Sequence, residues 1–498
     1  MKETCMNILE RYVRQFNEND EETVCNLIDN AHALEWLRKE IPIFECPDAD
    51  IERAYYFRWW TYRKHLKHTE DGYVISEFLP NVPWSGPHNT INAAVGHHLA
   101  EGRWLKHADR YLSDYVDFFL NRPDSAHQYS AWLADAMWKL ANVTGHYDVG
   151  RETLQKLVRY YELWEETHGL PNGMFWSIDD RDAMEYSISG TTEDGRVLRG
   201  IRPTLNSYLC ADAAAIARFA RIAGDRKTEA RFLEKHDRLK KSINEILFEN
   251  GFYRAYHCEN GKETDPDRVI LEGRGHSPRE LIGYLPWMFG IPPVGRDNAF
   301  DLLADERSFA SPYGLATAER SHPRFLYSVK HECLWNGYVW PFATSQTLTA
   351  LNNVIQTYPN GERYRDLFCK LLRQYAKSHT RLREDGKTVP WIDEVRHPLR
   401  DEWSSRTLLR DCGWPERKGG YERGKDYNHS TFCDLVITGI VGVRETEGAL
   451  EISPNIPTDW DWFRLSDLHY KGKTYTVVYD KTGEKFGVGH GLQVTEQT

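Results

Sequence analysis

The feature that most constrains the fold of this chain is a succession of helix patterns that arrive in pairs. In residues 127–145 and 148–169, apolar side chains recur at helical spacing and a glycine ends each segment. A pair occupies roughly forty to fifty residues, and no sequence repeat of fixed period accompanies it. This favours a closed ring of helical hairpins over an open solenoid. Further helix patterns cover residues 50–67, 89–102, 104–120, 204–224, 226–248, 339–358 and 361–379, and shorter ones follow residues 276–278, Arg296 and His429.

After about residue 442 the chain changes character, because strand patterns replace helix patterns. Short segments between residues 449 and 494 alternate apolar and polar side chains and are separated by turn residues. We therefore predict an all-α protein with a small β-rich cap. The predicted parts are an N-terminal helical extension over residues 1–47, a helical barrel over 48–442 and the cap over 443–498.

Two acid-rich passages point to a particular chemistry. Residues 173–187 read GMFWSIDDRDAMEYS, and residues 391–403 read WIDEVRHPLRDEW and contain Glu394. In sugar hydrolysis one acid protonates the leaving oxygen, a second carboxylate handles water or the anomeric carbon, and aromatic faces hold the ring. Either passage alone is better explained as solvated surface charge, since most acidic side chains are exposed. The two together favour a glycosidase.

The composition supports this interpretation and excludes others. The chain has 17 Trp, 27 Tyr and 20 Phe, and many of the Trp stand beside polar residues, which is typical of a polar cavity walled by rings. A net charge of −11 disfavours a nucleic-acid partner. Nine Cys are scattered singly, which supports neither a zinc ribbon nor a disulfide framework. No phosphate loop, nucleotide fingerprint or metal-ligand cluster is recognised, so we expect no cofactor and no metal at the site, and a structural divalent ion elsewhere is left open.

The sequence gives limited information on location and partners. No apolar run approaches the roughly 18 to 20 residues of a membrane span, so we expect no membrane partner. The N-terminus, MKETCMNILERYVRQF, is charged and amphipathic and lacks the apolar core of a secretory signal. We expect a cytoplasmic protein, with a removed signal as the alternative. The expected partner is a small carbohydrate, and the oligomeric state is left open.

Residues 335–341 read Trp-Asn-Gly-x-x-Trp-Pro. With the helical hairpins and the late glutamate passage, this segment resembles the six-hairpin glycosidases. The nearest likeness is to glycoside hydrolase family 63 and the mannosylglycerate-hydrolase-like enzymes, with trehalases as cousins, over roughly residues 50–445. The resemblance implies an (α/α)6 barrel that hydrolyses α-linked sugars with inversion, using an Asp as general acid and a Glu as general base.

The resemblance also implies the identity of the base. The corresponding loop of the family has the form Glu-Asn-Tyr/Asn-Pro-x-Thr-Gly, and residues 394–400 keep its glutamate and proline but lose the asparagine and glycine. We therefore assign Glu394 to activating the water, with Asp393 as its nearest competitor. The changes at Val395 and Arg400 affect the expected hydrogen bonds of the loop more than its glutamate.

Two residues compete for the role of acid. Arg181-Asp182 matches the start of the family's Arg-Asp-Asn-Ser form, and residues 184–187 match its Met-Asp-Asn-Ser form if Glu185 replaces the aspartate. We favour Asp182 because the family uses Asp, and Glu185 is the alternative. Either acid must be protonated near neutrality, so burial against an apolar wall should raise its pKa.

Other residues in the polar and aromatic segments are candidates for substrate contacts. For each of them a capping or loop-bracing role is the competing explanation. The candidates are Trp84, His88, Asn89, Trp176, Arg181, Arg202, Asn206, Trp335, Asn336, Trp340, Tyr427 and His429.

Two other functions fit the same sequence. One is a sugar epimerase or isomerase on the same barrel, whose chemistry requires histidines as proton carriers. The other is a non-catalytic carbohydrate-binding protein, which would keep the aromatic faces and would not need both acids. The predicted glycosidase acts on an α-glucoside or α-mannoside, and we expect exo action on a di- or oligosaccharide.

Overall fold

Six helices of the described residues form a closed inner ring, in which each helix contacts the next and the last contacts the first. The structure is a computed structural model that describes residues 2–257 and 278–497, with side chains from residue 8 onward. Residues 276 and 277, after which a short helix was expected, lie outside that part. The inner helices are Val95–Gly102, Leu133–Thr144, Pro203–Ala223, Leu285–Met288, Pro341–Thr357 and Cys433–Leu435, the last continued by a π-helical turn over Val436–Val441.

Outer helices alternate with the inner ones along the chain, which makes six hairpins within the described part. The inner helix Pro203–Ala223 is buried over most of its length, whereas the outer helix Arg226–Ser242 buries only Thr228, Phe232 and Leu239. The predicted all-α barrel of the (α/α)6 type is therefore confirmed. The outer elements are Ala49–His65, Ala108–Leu120, Leu154–His168, Arg226–Ser242 with a π-helical turn at Ile243–Leu247, the 3-10 helix Asp297–Leu303, and Arg365–Ser378.

Helix boundaries follow local chemistry. Asp48 caps the first outer helix by accepting hydrogen bonds from the backbone N–H groups of Asp50 and Ile51. Gly145 and Gly224 end two inner helices with φ of 83° and 75°, values that glycine adopts at little cost. The predicted helix over 89–102 is shorter than expected, because 3-10 turns at Pro87–Asn89 and Asn92–Ala94 precede its start.

The connections between helices are strongly unequal in length. Those that lead from an outer to an inner helix are long, as in residues 66–94, 169–202 and 379–432. Those that lead from an inner to an outer helix are shorter, as in residues 145–153 and 224–225. Since the inner helices are parallel members of one ring, the long connections meet at their N-terminal end. That end is where a site built from loops would form.

Short elements occur within the connections. The small helices are Pro123–Ala126, Asp148–Glu152, Asp180–Asp182, Leu281–Tyr284, Gly361–Tyr364, Ser405–Asp411 and Glu416–Lys418. The two-stranded sheets pair Leu66–Thr69 with Gly72–Ile75, Gly200–Ile201 with Tyr256–His257, Phe248–Glu249 with Phe252–Tyr253, Ala310–Ser311 with Gly314–Leu315, Thr380–Leu382 with Thr388–Pro390, and Val443–Arg444 with Glu451–Ile452.

The C-terminal strands form an antiparallel sheet that also takes a strand from the start of the chain. Its order is Ile43–Glu45, Trp462–Tyr470, Lys473–Asp480 and Gly491–Gln497. The segment before the barrel, which contains the helices Lys2–Glu18 and Ala33–Glu40, thus supplies an edge strand to the cap. Among the described residues, no helix combines the length and the apolar character needed to cross a membrane.

Candidate active site

A cavity of about 440 Å³ opens at the N-terminal end of the inner ring. Tyr129, Trp340 and His429 line it, and each stands a few residues before or directly at the start of an inner helix. The acid-rich passages contribute Glu185 and Glu394 to the same wall. The two sequence segments, two hundred residues apart, therefore meet in one cavity of a size typical for a small-molecule site.

Glu394 is held in a buried position at the cavity. The segment that carries it is fixed on both sides of the glutamate, because the Asp426 N–H donates to the Ile392 oxygen at 3.0 Å and the Val395 N–H donates to Ser405 Oγ at 3.0 Å. Burial raises the pKa of Glu394, and the Arg423 guanidinium, whose Nε donates to Glu394 Oε2 at 3.3 Å, counteracts part of that rise. Asp393, the competitor for this role, is buried next to it and does not line the cavity.

Arg423 was not recognised in the sequence. Its guanidinium carbon lies 4.5 Å from the ring centre of Trp414, 5.0 Å from that of Trp84 and 5.5 Å from that of Phe78. A guanidinium enclosed by three rings is fixed in position and shielded from solvent, which strengthens its interaction with a carboxylate. Arg423 therefore favours the charged form of Glu394.

Glu185 stands in a tight turn in the wall of the cavity. It follows the 3-10 helix Asp180–Asp182, and the residues on both sides of the turn, Ala183 and Tyr186, have φ of 58°. Non-glycine residues in this left-handed region carry backbone strain, which proteins tolerate most often at functional sites. Burial, together with the nearby charges of Asp180, Asp179 and Glu394, raises the pKa of Glu185 to about 8.

Asp182, the acid favoured from the sequence, does not line the cavity. Its side chain is fully buried behind the wall, where Arg202 Nε and Ser130 Oγ each donate to it at 2.6 Å. Arg202, a predicted substrate contact, is therefore occupied by an internal ion pair. The structure brings Glu185 and Glu394 together and leaves Asp182 in a bracing position.

Glu77 is a third buried carboxylate at the cavity, and the sequence analysis missed it. It accepts hydrogen bonds from Trp84 Nε1 at 3.1 Å and from Ser85 Oγ. Burial raises the pKa of Glu77 to about 7, a rise that these two hydrogen bonds and Arg423 oppose. The segment around Glu77 has no acid-rich pattern, so only its position before Trp84 could have drawn attention to it.

Four of the predicted substrate contacts line the cavity, namely Trp84, Trp340, Tyr427 and His429. Burial lowers the pKa of His429 to about 3, and its Nε2 lies 3.0 Å from the backbone oxygen of Glu77. This imidazole is therefore neutral at physiological pH. The wall combines aromatic faces with carboxylates, as expected for a sugar site.

The other predicted contacts brace the surroundings. Asn89 and Asn206 hydrogen-bond to backbone groups of their own connections. Trp335 stacks on Trp340 with ring centres 4.5 Å apart, and Asn336 donates to the Tyr327 backbone oxygen. The remaining three do not line the cavity: His88 pairs with Asp71, Trp176 stacks against His168 and Arg199, and Arg181 is exposed.

Further cavity residues were not recognised from the sequence. Most come from irregular segments without a periodic pattern, so only their proximity to the recognised motifs could have indicated them. They are Phe78, Ile91, Tyr129, Asp180, Ala183, His331, Glu332, Cys333, Phe342, Trp414 and Lys418.

The closed ring of six hairpins, with buried carboxylates at the N-terminal end of the inner helices, defines a six-hairpin glycosidase. A family model described as the mannosylglycerate hydrolase MGH1-like glycoside hydrolase domain matches residues 86–430. The chain belongs to this family, and the enzyme class expected from the sequence is confirmed at that level. A second model, the glycosyl hydrolase family 65 C-terminal domain, matches residues 443–495.

Solved structures share the fold. A protein named sialidase is 34% identical, with a TM-score of 0.87, over 99% of this chain and 43% of its own. The present chain thus spans less than half the length of that relative. A family 78 rhamnosidase of Bacillus sp. GL1 is 13% identical, with a TM-score of 0.55, over 88% of this chain and 40% of its own. The mannosylglycerate hydrolase of Thermus thermophilus, solved with Tris and D-glycerate, is 12% identical, with a TM-score of 0.51, over 77% of this chain and 100% of its own.

Proposed function

We propose that this cavity is the active site of a glycosidase that cleaves an α-linked di- or oligosaccharide, with Glu185 as general acid and Glu394 as general base. One observation carries the proposal. Two acidic residues that line one cavity differ in environment, since burial raises the pKa of Glu185 to about 8, whereas the Arg423 guanidinium opposes the rise that burial causes in the pKa of Glu394. Such a pair is how a single site supplies acid and base at neutral pH.

Glu185 is the better candidate for the acid because its carboxyl group is available. Within the described residues, Glu185 forms no ion pair and its side chain accepts no hydrogen bond from another side chain, whereas Asp182 is bound by Arg202 and Ser130. Glu77 has a raised pKa too, but Trp84 and Ser85 already hold its two oxygens. Glu185 donates its proton to the glycosidic oxygen as the bond to the anomeric carbon breaks.

Glu394 then acts on the water that replaces the leaving group. As a carboxylate held by Arg423 it accepts a proton from this water, which attacks the anomeric carbon from the opposite face of the ring. Asp182 contributes indirectly, because its ion pair with Arg202 braces the turn that carries Glu185. The family resemblance supports inversion, which requires space for a water between the two carboxyl groups.

The shape of the cavity supports a short substrate. A volume of about 440 Å³ suits one or two sugar rings and a terminal rather than internal bond. Trp84, Trp340 and Trp414 offer faces for a pyranose. We therefore propose exo action on an α-glucoside or α-mannoside.

The stereochemical test uses aryl α-glycosides and natural α-linked disaccharides, with proton NMR of the first product. Inversion releases the β-anomer from an α-linkage before mutarotation, and retention releases the α-anomer. A reducing sugar that is interconverted and never released would support an epimerase and overturn the proposal. Binding without turnover across the whole panel would support a carbohydrate-binding protein.

The roles of the two acids are tested by leaving-group dependence. Glu185→Gln should lose about 10²- to 10⁴-fold in kcat on a disaccharide and much less on an activated aryl glycoside, whose leaving group needs no proton. Glu394→Gln should lose activity on both substrates. Glu402→Gln, which changes a carboxylate of the same passage outside the cavity, is the matched control. Equal losses on both substrates for Glu185→Gln would contradict its role as acid.

A second candidate function is the hydrolysis of a sialoside. The observation that favours it is 34% identity to a protein named sialidase over 99% of this chain. A sialoside carries a carboxylate, and Lys418, which lines the cavity and forms no ion pair in the described residues, could receive it. Of the five acidic residues of the cavity, those in the charged form, with Glu394 among them, oppose an anionic sugar, so this candidate ranks second. An aryl α-sialoside, assayed with Lys418→Met, decides between the two.

A further inference from the structure

Three consecutive residues at the cavity, His331, Glu332 and Cys333, direct ligand-type atoms towards one point. One nitrogen, one carboxylate oxygen and the thiol sulfur all lie within 4.8 Å of one another. Donor atoms bound tetrahedrally to a single Zn²⁺ at about 2.0–2.3 Å lie about 3.3–3.8 Å apart. The three atoms are therefore close enough to converge on one ion after shifts of up to about 1 Å.

The orientation of the His331 imidazole fits that of a metal ligand. Its Nδ1 lies 3.0 Å from both the backbone oxygen and the backbone nitrogen of Cys333, so it donates to the first or accepts from the second according to the tautomer. A cation bound at Nε2 selects the tautomer that donates to the oxygen. In the tautomer with the proton on Nδ1, this proton is donated to that carbonyl, and Nε2 keeps its lone pair for a cation. Metal-binding histidines commonly make this second hydrogen bond. The Tyr186 ring, 4.6 Å from the imidazole centre, holds the plane of the ring.

The cluster differs in surroundings from a surface group of charges. All three residues line the catalytic cavity, where the Glu394 carboxylate adds negative charge. Arg423, whose Nη2 lies 3.4 Å from the Cys333 sulfur, is the one cation in contact with the cluster among the described residues. The surrounding carboxylates favour a cation, and the open cavity leaves space for a ligand that the protein does not supply.

We propose that His331, Glu332 and Cys333 form a three-ligand site for a borderline-soft divalent cation such as Zn²⁺ at the wall of the catalytic cavity. A thiolate and an imidazole select zinc over magnesium or calcium, which prefer oxygen ligands alone. Binding replaces the thiol proton of Cys333 by the metal, and that proton leaves to solvent. Three protein ligands leave one tetrahedral position directed to the cavity for water or substrate.

The test is metal binding by the full chain, which does not depend on hydrolysis. Titration with ZnCl2 against a chromophoric chelator should give one tight site per chain. Co²⁺ in its place should produce a thiolate-to-cobalt charge-transfer band in the near ultraviolet. Both signals should be lost in Cys333→Ser, with zinc affinity reduced by at least about tenfold.

Matched controls separate this site from unspecific thiol binding. Cys412→Ser removes another partly buried thiol near the same cavity and should keep both signals. His331→Gln and Glu332→Gln, at partly exposed positions, should each weaken binding while preserving the thermal melting curve, so the test does not depend on Cys333→Ser folding. No tight site in the wild-type chain, or an unchanged cobalt band in Cys333→Ser, overturns the proposal.

A second arm rests on the proposed function. An occupied site adds positive charge beside the carboxylates of the cavity, so Zn²⁺ should slow glycoside hydrolysis by the wild-type chain relative to its metal-free rate. The same addition should leave the rate of Cys333→Ser at its own metal-free value. Tight binding without slowing overturns this regulatory arm alone, and an absence of hydrolysis under all conditions overturns the proposed function and leaves the binding result intact.

Discussion

The inner ring of helices has a cavity at each end, and the two cavities treat their acidic residues in opposite ways. At the C-terminal end, a cavity of about 300 Å³ contains Asp135, Asp434 and Glu445. Each of them is paired with a cation: Asp135 with Lys139 at 3.0 Å, Asp434 with Arg103 at 2.6 Å, and Glu445 with the same arginine. The His97 and Phe342 rings, 4.4 Å apart, lie between this cavity and the catalytic one.

In the cavity at the N-terminal end, two of the acidic residues have no ion-pair partner among the described residues. Glu77 and Glu185 line the catalytic cavity without an ion pair in the described part of the chain, whereas Glu394 has a buried cation, Arg423, and Asp180 lies 3.7 Å from the exposed Arg181. An unpaired carboxyl group in a poorly solvated site keeps its proton to higher pH, whereas a paired one stays charged. The comparison suggests that the C-terminal cavity is built for stability and the N-terminal one for proton transfer.

The most direct test of this difference between the two cavities replaces a carboxylate of the N-terminal cavity by an amide. Glu394→Gln should lower kcat by about 10²- to 10⁴-fold, because the general base is lost. Its melting temperature should change little, because the relief from burying a charged carboxylate offsets the loss of the ion pair with Arg423, whose Nε can still donate to the amide oxygen. Kinetics on a disaccharide and calorimetry check the two results, and a large fall in stability without loss of turnover would reverse the comparison.

A carboxylate-to-amide change in the C-terminal cavity should instead lower stability and leave turnover almost unchanged. Asp434→Asn leaves Arg103 with one fewer partner in a buried site, which should lower the free energy of unfolding by about 3–5 kcal/mol. The kcat per folded molecule should change by less than about twofold, because this carboxylate lies outside the active site. Urea unfolding and active-site titration separate the two quantities, and a strong fall in kcat of the folded fraction would contradict the assignment.

The pH profile should reveal the cation that controls Glu394. The proposed acid must be protonated, so kcat/KM of the wild-type chain should fall as pH rises through about 8. Arg423 opposes the rise that burial causes in the pKa of Glu394, and Arg423→Met should therefore move the acidic limb to higher pH. Lys418→Met, which removes the other cation of the cavity, should leave that limb in place; an unmoved limb in Arg423→Met would show that Arg423 does not control the base.

The smallest expected effect is on stability. Glu185 has a folded-state pKa of about 8 against an ordinary value of 4.5, so the folded chain binds its proton more tightly than the unfolded chain. The resulting stabilisation is complete below about 4.5 and is lost as pH rises through about 8. Glu185→Gln should thus melt higher than the wild-type chain at pH about 9, and the difference should vanish near pH about 4. A difference that is constant with pH would mean that Glu185 titrates normally.

Much of the barrel could be predicted because its signals are local. The amphipathic helix Pro203–Ala223 was expected at 204–224, and the strand Trp462–Tyr470 was expected within the C-terminal strand patterns. In both, the periodicity of apolar side chains records which face is buried. The bounds of helices that adjoin irregular turns were predicted less accurately, because a 3-10 turn such as Asn92–Ala94 has no periodic pattern of apolar side chains.

Within the candidate site, the motif located Glu394 but could not choose between Asp182 and Glu185. The two acids are three residues apart, and the left-handed turn at Ala183 directs one behind the wall and the other into the cavity. Arg423 and Glu77 were missed because no spacing relates them to the motifs. Glu77 reaches Glu394 from another connection, residues 66–94, and Arg423 approaches it only when the long connection 379–432, which carries both residues, folds back on itself.

Local patterning was therefore enough to establish the helical hairpins, the cap and the two passages that hold the acids. These depend on the alternation of apolar and polar residues, which acts over a few neighbouring positions. The folded arrangement was needed to establish which carboxyl groups are left without a cation and which are paired, as for Glu185 and Asp182. Protonation depends on burial and on charges brought close by ring closure, and those distances are set by the whole fold.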